Sequence, residues 1–451
     1  MVEAKIGLEI HCQLNTESKL FCSCPNKASN KPNTLTCEVC LGHPGAKPVL
    51  NKEVLKKALT AALALNCKIN PKMIFSRKTY FYPDLPNNYQ ITQYELPLAI
   101  EGKLGNIRIT RLHIEEDPGR LVRKEGFVLI DYNRSGTPLI ETVTEPDFKS
   151  SDEAKEFLQK FVNILEYLNI YYQSSEATLR CDVNVSINNG TRVEVKNVYG
   201  IHEVKKVIDY EIQRQQTEKA VQETRGWDEE SKTTYTMRLK ESEEDYGYIT
   251  EPNLPAFEIT KEMIKGVKLP ELGHDKASRY IKDYKLNKED AEVLASYSKL
   301  AEIFEAAAKK VNPDFAAKWL RREVLKSINE SNKDIQKLNI DSKQMIALLE
   351  LFEKKQITDK IAKQLIERLL KEDFDVKEYV KKQDLGMVSS ESDLKKFCGE
   401  VINENPKVVN VYKSGKQEAI NFLVGQVMRK SKGKASPDIC KNILISTIKG
   451  D

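Results

Sequence analysis

A chain of 451 residues, 40% hydrophobic and 31% charged, is a well-charged globular protein too long for one ordinary core, and it should divide into two or three domains. It lacks any apolar run of about eighteen residues, and Met1-Val2-Glu3-Ala4-Lys5 leads almost directly into a strand pattern; this argues against a membrane span or a signal or transit peptide, so the cytoplasm is the expected compartment. The net charge of +4 is unevenly laid, because from Asn405 to Asp451 nine Lys/Arg stand against three Asp/Glu, leaving the rest of the chain net negative.

The first element is a strand over Ile6 to Leu14, in which period-two alternation places Glu9 and His11 on one face and Ile6, Leu8 and Ile10 on the other. Cys22-x-Cys24 and Cys37-x-x-Cys40 follow, a two-knuckle spacing that can close a tetrahedral zinc site, the first knuckle being one residue tight. Four thiolates would fill the coordination sphere, so such a zinc would be structural; the alternative is four reduced thiols. The other five cysteines read as packing residues, and His43 as a loop histidine.

A helix is expected from Lys52 to Leu65, where Leu55, Leu59, Ala62 and Leu65 form an apolar stripe. The segment Tyr80 to Gln90 interleaves aromatics, prolines and amides, reading as a loop able to stack on a base or ribose or as a rigid surface loop. A strand over Asn106 to Glu116 puts Arg111, His113 and Glu115 on one face, with Glu116 at its end. Asp131 to Glu141 is read as a polar loop carrying Asn133 and Arg134. A second helix begins near Ser151, with Phe157, Phe161, Ile164 and Leu168 at helical spacing.

Arg180 to Ile187 and Thr191 to Asn197 alternate strictly around Asn188-Asn189-Gly190, which predicts a β-hairpin. One face gathers Arg180, Asp182, Asn184, Ser186, Arg192, Glu194 and Lys196; the other holds Val183, Val185, Ile187, Val193 and Val195. A third helix spans about His202 to Glu218. Beyond Leu286 the pattern is nearly all helical, including Pro313 to Asn329, Asp341 to Lys354, Asp359 to Lys371, Ser390 to Asn403 and Gly415 to Arg429, and it runs into the basic turn Lys430-Ser431-Lys432-Gly433-Lys434.

Two carboxylates and three cations on one hairpin face suit a phosphate-and-metal site. With the neighbouring strands they suggest Glu9, His11, Glu115 or Glu116, and Asp182 as divalent-ion ligands, with Arg180, Arg192 and Lys196 available to neutralise phosphates. No Walker A loop and no G-x-G-x-x-G fingerprint occurs, so a nucleotide must be held by another scaffold.

The segments Gly-Leu-Glu-Ile-His at 7 to 11, Tyr-Phe-Tyr-Pro-Asp-Leu-Pro at 80 to 86, His-Ile-Glu-Glu-Asp at 113 to 117, Asp-Tyr-Asn-Arg-Ser-Gly-Thr-Pro-Leu-Ile-Glu at 131 to 141, Arg-Cys-Asp-Val-Asn-Val-Ser at 180 to 186 and Gln-Glu-Thr-Arg at 222 to 225 resemble the B subunit of the aspartyl/glutamyl-tRNA amidotransferase. The likeness continues through Phe422 to Met428 and the lysine turn, so it covers essentially the whole chain. It implies an α+β fold: a kinase-like cradle with a mixed or antiparallel sheet (1–285), an all-helical domain (286–385) and a small tRNA-binding helical tail related to the YqeY type (386–451).

It also implies a chemistry. A glutamine-hydrolysing ligase would use ATP and Mg²⁺ to phosphorylate the side-chain carboxylate of Glu or Asp misacylated onto tRNA. Ammonia from the amidase, the A subunit, would then displace the phosphate, in a heterotrimer completed by the small C subunit. Glu9, His11, Glu116 and Asp182 match the family's metal positions, Arg180, Glu194 and Lys196 its charged, catalytic hairpin, and Cys22, Cys24, Cys37 and Cys40 its zinc-binding version. Tyr82, Asp84, Gln90, Arg111, Asn133, Arg134 and Arg192 become candidates for nucleotide or substrate binding, and Lys430, Lys432 and Lys434 for tRNA. Glu244 to Thr250 and Asn197 to Gly200 differ from the family's usual wording. The archaeal E subunit, which carries an inserted domain, and a non-enzymatic zinc-containing tRNA-binding scaffold are the alternatives.

Overall fold

The computed structural model describes residues 2–171, 179–239, 247–326, 340–387, 391–431 and 433–450. It has two compact units, Met1–Leu272 and Gly273–Asp451. The strands of the first unit are β1 (Ala4–Gln13), β2 (Lys68–Ile69), β3 (Lys72–Met73), β4 (Ser76–Thr79), β5 (Tyr89–Thr92), β6 (Ala99–Leu104), β7 (Ile107–Asp117), β8 (Arg120–Lys124), β9 (Phe127–Asp131), β10 (Thr137–Thr144), β11 (Arg180–Ile187), β12 (Val193–Tyr199), β13 (Glu223–Asp228), β14 (Thr233–Leu239), β15 (Gly247–Thr250) and β16 (Phe257–Glu258). Nine of them form one mixed sheet in the order β14-β13-β12-β11-β1-β10-β7-β6-β2. Only β12 and β13 pair in parallel, and α3 (Ile201–Thr217) supplies the crossover that a parallel pair requires.

One sheet face is apolar. Ile6, Leu8 and Ile10 of β1 and Val183 and Val185 of β11 are almost wholly buried in a core shared with α1 (Lys52–Ala64), α2 (Ser151–Tyr167) and α3. The helices start where local chemistry starts them. Asn51 caps α1 by accepting from the Glu53 N–H, and Ser150 caps α2 by accepting from Glu153 N while the Glu153 carboxylate accepts from Lys149 N. Phe157 of α2 then meets Phe148 edge-on at 5.2 Å.

The segment read as a loop over 131–141 is instead the end of β9, a turn, and the first half of β10, which sits between β1 and β7 in the middle of the sheet. Pro138 obscured it, since proline ordinarily marks an edge or a break. Here it is the second residue of the strand, and its carbonyl still accepts from Leu14 N at 2.9 Å.

A smaller sheet, β15-β4-β5, is fastened by a bidentate pair: Arg77 Nε and Nη2 donate to Glu251 Oε2 and Oε1 at 2.6 and 3.0 Å, with Glu251 fully buried and the guanidinium over the Tyr89 ring. Arg77→Met strands a buried carboxylate, so unfolding free energy should fall by about 3–5 kcal/mol in urea titration. A loss under about 1 kcal/mol would show that the pair does not hold this sheet.

In the second unit Tyr280 packs edge-on against Phe304, and Glu305 accepts from Lys276, Arg279 and Tyr280. These contacts put the helix Gly273–Asp283 in the helical unit, so the first unit ends at Leu272 and not near residue 285. The helix expected from Pro313 is α-helical to Trp319 and π-helical over Leu320–Val324; residues 327–329, and Ser390 of a later one, lie outside the described residues. The end of the chain has its own core, in which Leu394, Cys398, Val401, Leu423, Val427, Cys440 and Leu444 meet.

Candidate active site

The other face of the large sheet is polar, and it is buried nonetheless. Register brings the ionisable residues together: on β1, Glu9 pairs with Asp182 and His11 with Arg180 of β11, while on the other side His11 pairs with Glu141 of β10, and Glu141 with His113 of β7. His113, Glu115, Asp182 and Glu194 are each 3–6% exposed. Removing this many charges from water is costly unless they pair or hold an ion.

Two groups result. In the first, His11 Nε2 lies 3.2 Å from Glu141 and 3.5 Å from Glu115, and His113 Nε2 lies 3.4 Å from Glu141. The second joins Glu9, Asp182 and Glu194, with the Lys196 ammonium 2.7 Å from Asp182 and 3.1 Å from Glu194. The Asn197 N–H closes on Asp182 at 2.8 Å.

The electrostatics follow from this packing. Burial alone would lower His113, but Glu141 and Glu115 outweigh it and push it up to about 9. Burial opposes ionisation of Glu141 too, yet His113 and His11 hold it well below the usual carboxylate range. Asp182 is likewise lowered against its burial, chiefly by Lys196, whereas Glu9 is raised by burial and by Glu141 and Asp182. Donor atoms of His11, Glu115 and Glu141 all lie within 4.8 Å of one another, as do those of Glu9, Asp182 and Glu194. An imidazole with two carboxylates fits a hard divalent cation, and a buried carboxylate cluster is stabilised by one.

Glu115 joins this face; Glu116 does not. The Glu116 carboxylate accepts from Ile91 N at 3.0 Å, borders a small cavity with Cys22 and Cys40, and burial pushes it up to about 8. Alternation along β7 separates the two neighbours, as strand geometry requires.

Arg180 reaches Asp117 at 3.5 Å, and Arg111 keeps a buried Nε with no hydrogen-bond partner among the described residues. The loop candidates are mostly engaged with backbone: Gln90 donates to Glu116 O, Asn133 binds Lys31 O and Leu35 N, and Arg134 donates to Pro118 O and Gly119 O. The Asp84 carbonyl accepts from Gly119 N, and Tyr82, 41% exposed, bonds Arg123 through its hydroxyl. Arg192 stands at the rim before β12.

Sequence reasoning missed three contributors. Glu141 fell in the supposed loop. Thr224 of β13 donates to Glu194 at 3.2 Å, and Thr92 of β5 to Glu115 at 3.2 Å. The β-branched residues Thr137, Ile140, Thr142, Val143 and Thr144 were the available signal of a strand for the first; the others depend on strands with no local mark of their neighbours.

The four cysteine sulfurs Cys22, Cys24, Cys37 and Cys40 converge within 4.8 Å. In the tail, Lys430 is paired with Glu400 and Glu404 and Lys434 with Asp384, while Lys432 lies outside the described residues, as do Glu244 to Tyr246 of the variant loop. Exposed pairs exchange partners readily. If the turn meets tRNA phosphates, as the resemblance implies, a Lys430→Ala/Lys434→Ala variant should bind tRNA a few fold more weakly, with the slope of log affinity against log salt flattened by roughly two counterions. An unchanged slope would make the turn ordinary solvated surface.

Comparison with known proteins identifies relatives along the whole chain. The family described as the GatB/GatE catalytic domain matches residues 4–265, and that described as the GatB domain matches 302–448. The chain is 42% identical to the aspartyl/glutamyl-tRNA(Asn/Gln) amidotransferase B subunit of Persephonella marina, over 99% of each chain. It is 41% identical to the protein of the same name from Carboxydothermus hydrogenoformans over 98% of each, and 42% identical to that of Thermotoga petrophila over 99% of each.

Proposed function

The chain belongs to the family of aspartyl/glutamyl-tRNA(Asn/Gln) amidotransferase B subunits, and from that membership and the polar sheet face we propose that it activates the side-chain carboxylate of Glu or Asp misacylated onto tRNA by phosphoryl transfer from ATP. The observation that carries this reading is the convergence of two buried acidic groups with Arg180 and Lys196 on one sheet face. A scaffold gains nothing from burying Glu115, Glu141, Asp182 and Glu194 together. The relatives of the B type match the chain from end to end, which favours this reading over the archaeal E type.

A carboxylate oxygen is a poor leaving group. Attack of that oxygen on the γ-phosphorus of ATP, with loss of ADP, makes it part of an acyl phosphate; ammonia attack at the acyl carbon then releases phosphate and leaves the amide. Catalysis of the first step is mostly positioning and neutralisation of charge. Glu9, His11, Glu115, Glu141 and Asp182 would hold Mg²⁺, which when bound offsets charge on the phosphates. Lys196, fixed by Asp182 and Glu194, and Arg180, fixed by Asp117, present cations whose place is set before substrate arrives. Ammonia would come from a glutamine-hydrolysing amidase, the A subunit, the assembly being completed by a small C subunit, and the cysteine quartet would hold a structural zinc.

The test is to co-purify the full chain with candidate A and C subunits and measure ATP cleavage and amidation of Glu-tRNA(Gln) and Asp-tRNA(Asn). Asp182→Ala should abolish both activities while leaving glutaminase chemistry at least partly intact. Normal amidation by this variant would refute the assignment.

A further inference from the structure

Behind the candidate site, between β13, β14 and α3, the sheet buries a second ionic group. Glu211 and Arg214 of α3 and Glu223 and Arg225 of β13 are each at most 9% exposed. Arg225 donates to Glu223 at 2.8 Å, to the Thr234 and Thr236 hydroxyls at 2.7 and 2.9 Å, and to the Thr234 carbonyl at 2.8 Å. Arg214 donates to both Glu211 oxygens and lies 3.7 Å from Glu223, while the Thr234 hydroxyl donates to Glu211 at 2.6 Å. Trp227, of the same parity, ties β13 to the start of α3, its indole N–H donating to Glu203 at 3.0 Å.

Thr224 lies between these anchors and points the other way, into the site. It is 2% exposed, and its hydroxyl donates to Glu194 Oε2 at 3.2 Å. Glu194 Oε1 lies 3.1 Å from the Lys196 ammonium, which Asp182 also draws, at 2.7 Å. The place of Lys196 is thus a balance between two carboxylates, one of which Thr224 holds. Register decides whether that hold exists. β12 and β13 pair in parallel at Glu194 with Thr224 and at Val195 with Arg225, and a slip by one residue would turn Glu223 or Arg225 toward Glu194. Two carboxylates and two guanidiniums buried together are often no firmer than apolar packing of the same volume, so what they add is direction.

We propose that Thr224 is a positioning residue for the phosphoryl transfer, set in register by the ionic group behind it, and that it fixes the Lys196 ammonium through Glu194. The inference rests on the ATP-dependent reading above and adds to it a residue that acts through another. Without the hydroxyl, Glu194 Oε2 loses its donor on β13, the carboxylate can turn about its last bond, and Lys196 follows Asp182. The ammonium then leaves the place where charge develops on the transferred phosphoryl group. The loss therefore falls on the transition state and not on the binding of ATP or tRNA.

The experiment measures tRNA-dependent ATP cleavage by the full-length chain in its co-purified assembly. Thr224→Val keeps the shape and branching of the side chain and removes the donor; kcat should fall by roughly tenfold, with KM for ATP and for aminoacyl-tRNA within about twofold of the parent. Thr224→Ser, which keeps the donor and loses the methyl group, should retain kcat within about twofold. A merely packing role predicts the reverse order, with Ser worse than Val and the melting temperature following it. Arg225→Lys keeps the charge but not the fork of donors, and should lower kcat by a similar factor, the double variant with Thr224→Val being no slower than either alone. A Val variant with parental kcat, or a Ser variant as slow as Val, would overturn the proposal. Factors that multiply in the double variant would separate the ionic group from Thr224 and overturn its part in it. A parent assembly that cleaves no ATP would instead remove the ATP-dependent reading, and this inference with it.

Discussion

Glu141→Gln is expected to reduce tRNA-dependent ATP cleavage by a factor on the order of 10² to 10³, the effect of removing one preorganised charge from a buried site. The substitution keeps the shape of β10 and the Pro138 carbonyl contact that positions it, so far-ultraviolet circular dichroism should not change. What is lost is the carboxylate that faces both His11 and His113 at 3.2 and 3.4 Å. Cation affinity should fall in parallel, and Mn²⁺ titration followed by electron paramagnetic resonance reads it directly. A variant with parental ATP cleavage and parental Mn²⁺ affinity would exclude Glu141 from the site.

The same residue governs a pH dependence. His113 in the cation-free protein is raised from its ordinary value of 6.5 to about 9 by Glu141 and Glu115 against the effect of burial. A raised histidine stabilises the fold fully below pH 6.5, and that contribution, on the order of 3 kcal/mol, disappears as pH rises through about 9. In Glu141→Gln this decline between pH 6.5 and 9 should flatten, as seen in urea midpoints measured across the range. With cation present the trend reverses in sense, because a bound ion displaces the proton from His11, so cation affinity should strengthen with rising pH.

How far this site could be read from the chain depended on whether its partners were local. Alternation alone placed Glu9 with His11, and Asp182 with Arg180, on common faces, because the side-chain period of a strand is set by covalent geometry. The same parity preferred Glu115 to Glu116, and in the structure it is Glu115 whose carboxylate lies beside His11. What parity cannot supply is which strands are neighbours. The pairing of β1 with β10, some 130 residues apart, and the contact of Thr224 with Glu194 across a parallel pair are non-local, and Pro138 and the turn residues before it concealed β10 altogether. Arg134 and Asn133 look like ligand-binding groups in a polar string, yet they satisfy backbone atoms of neighbouring loops, a role invisible without the third dimension. The helical stripes beyond residue 286 were legible for the opposite reason, since their period is entirely local.

The largest stability effect is expected at the cysteine quartet. The segment from Cys22 to Cys40 has little regular secondary structure to hold it, so its geometry must come from side chains. Asn33 donates to Ile130 O, Asn133 grips Lys31 and Leu35, and the Lys19 ammonium, fully buried, lies 3.6 Å from Cys40 Sγ. The Cys37 and Cys40 sulfurs are 3.9 Å apart, close to the edge of about 3.8 Å that a tetrahedron with zinc–sulfur bonds of about 2.3 Å requires. Hydrogen bonding from Cys22, the Cys37 N–H and the nearby Lys19 push Cys40 down to about 5 in spite of burial, so a thiolate is already favoured there. Zinc would replace mutual repulsion of four thiolates with four bonds, and structural sites of this kind are worth on the order of 10 kcal/mol of apparent binding free energy. Cys37→Ser should therefore release the metal and lower the melting temperature steeply. Because Ile91, Tyr89 and Glu116 border the cysteines, the disturbance should reach the end of β7 and lower the fraction of competent enzyme, leaving cation affinity per folded molecule unaltered. Elemental analysis of protein purified without chelators decides the point: about one zinc per chain in the parent and none in Cys37→Ser is the expected result, and a parent with no zinc but full stability would leave the quartet as four reduced thiols.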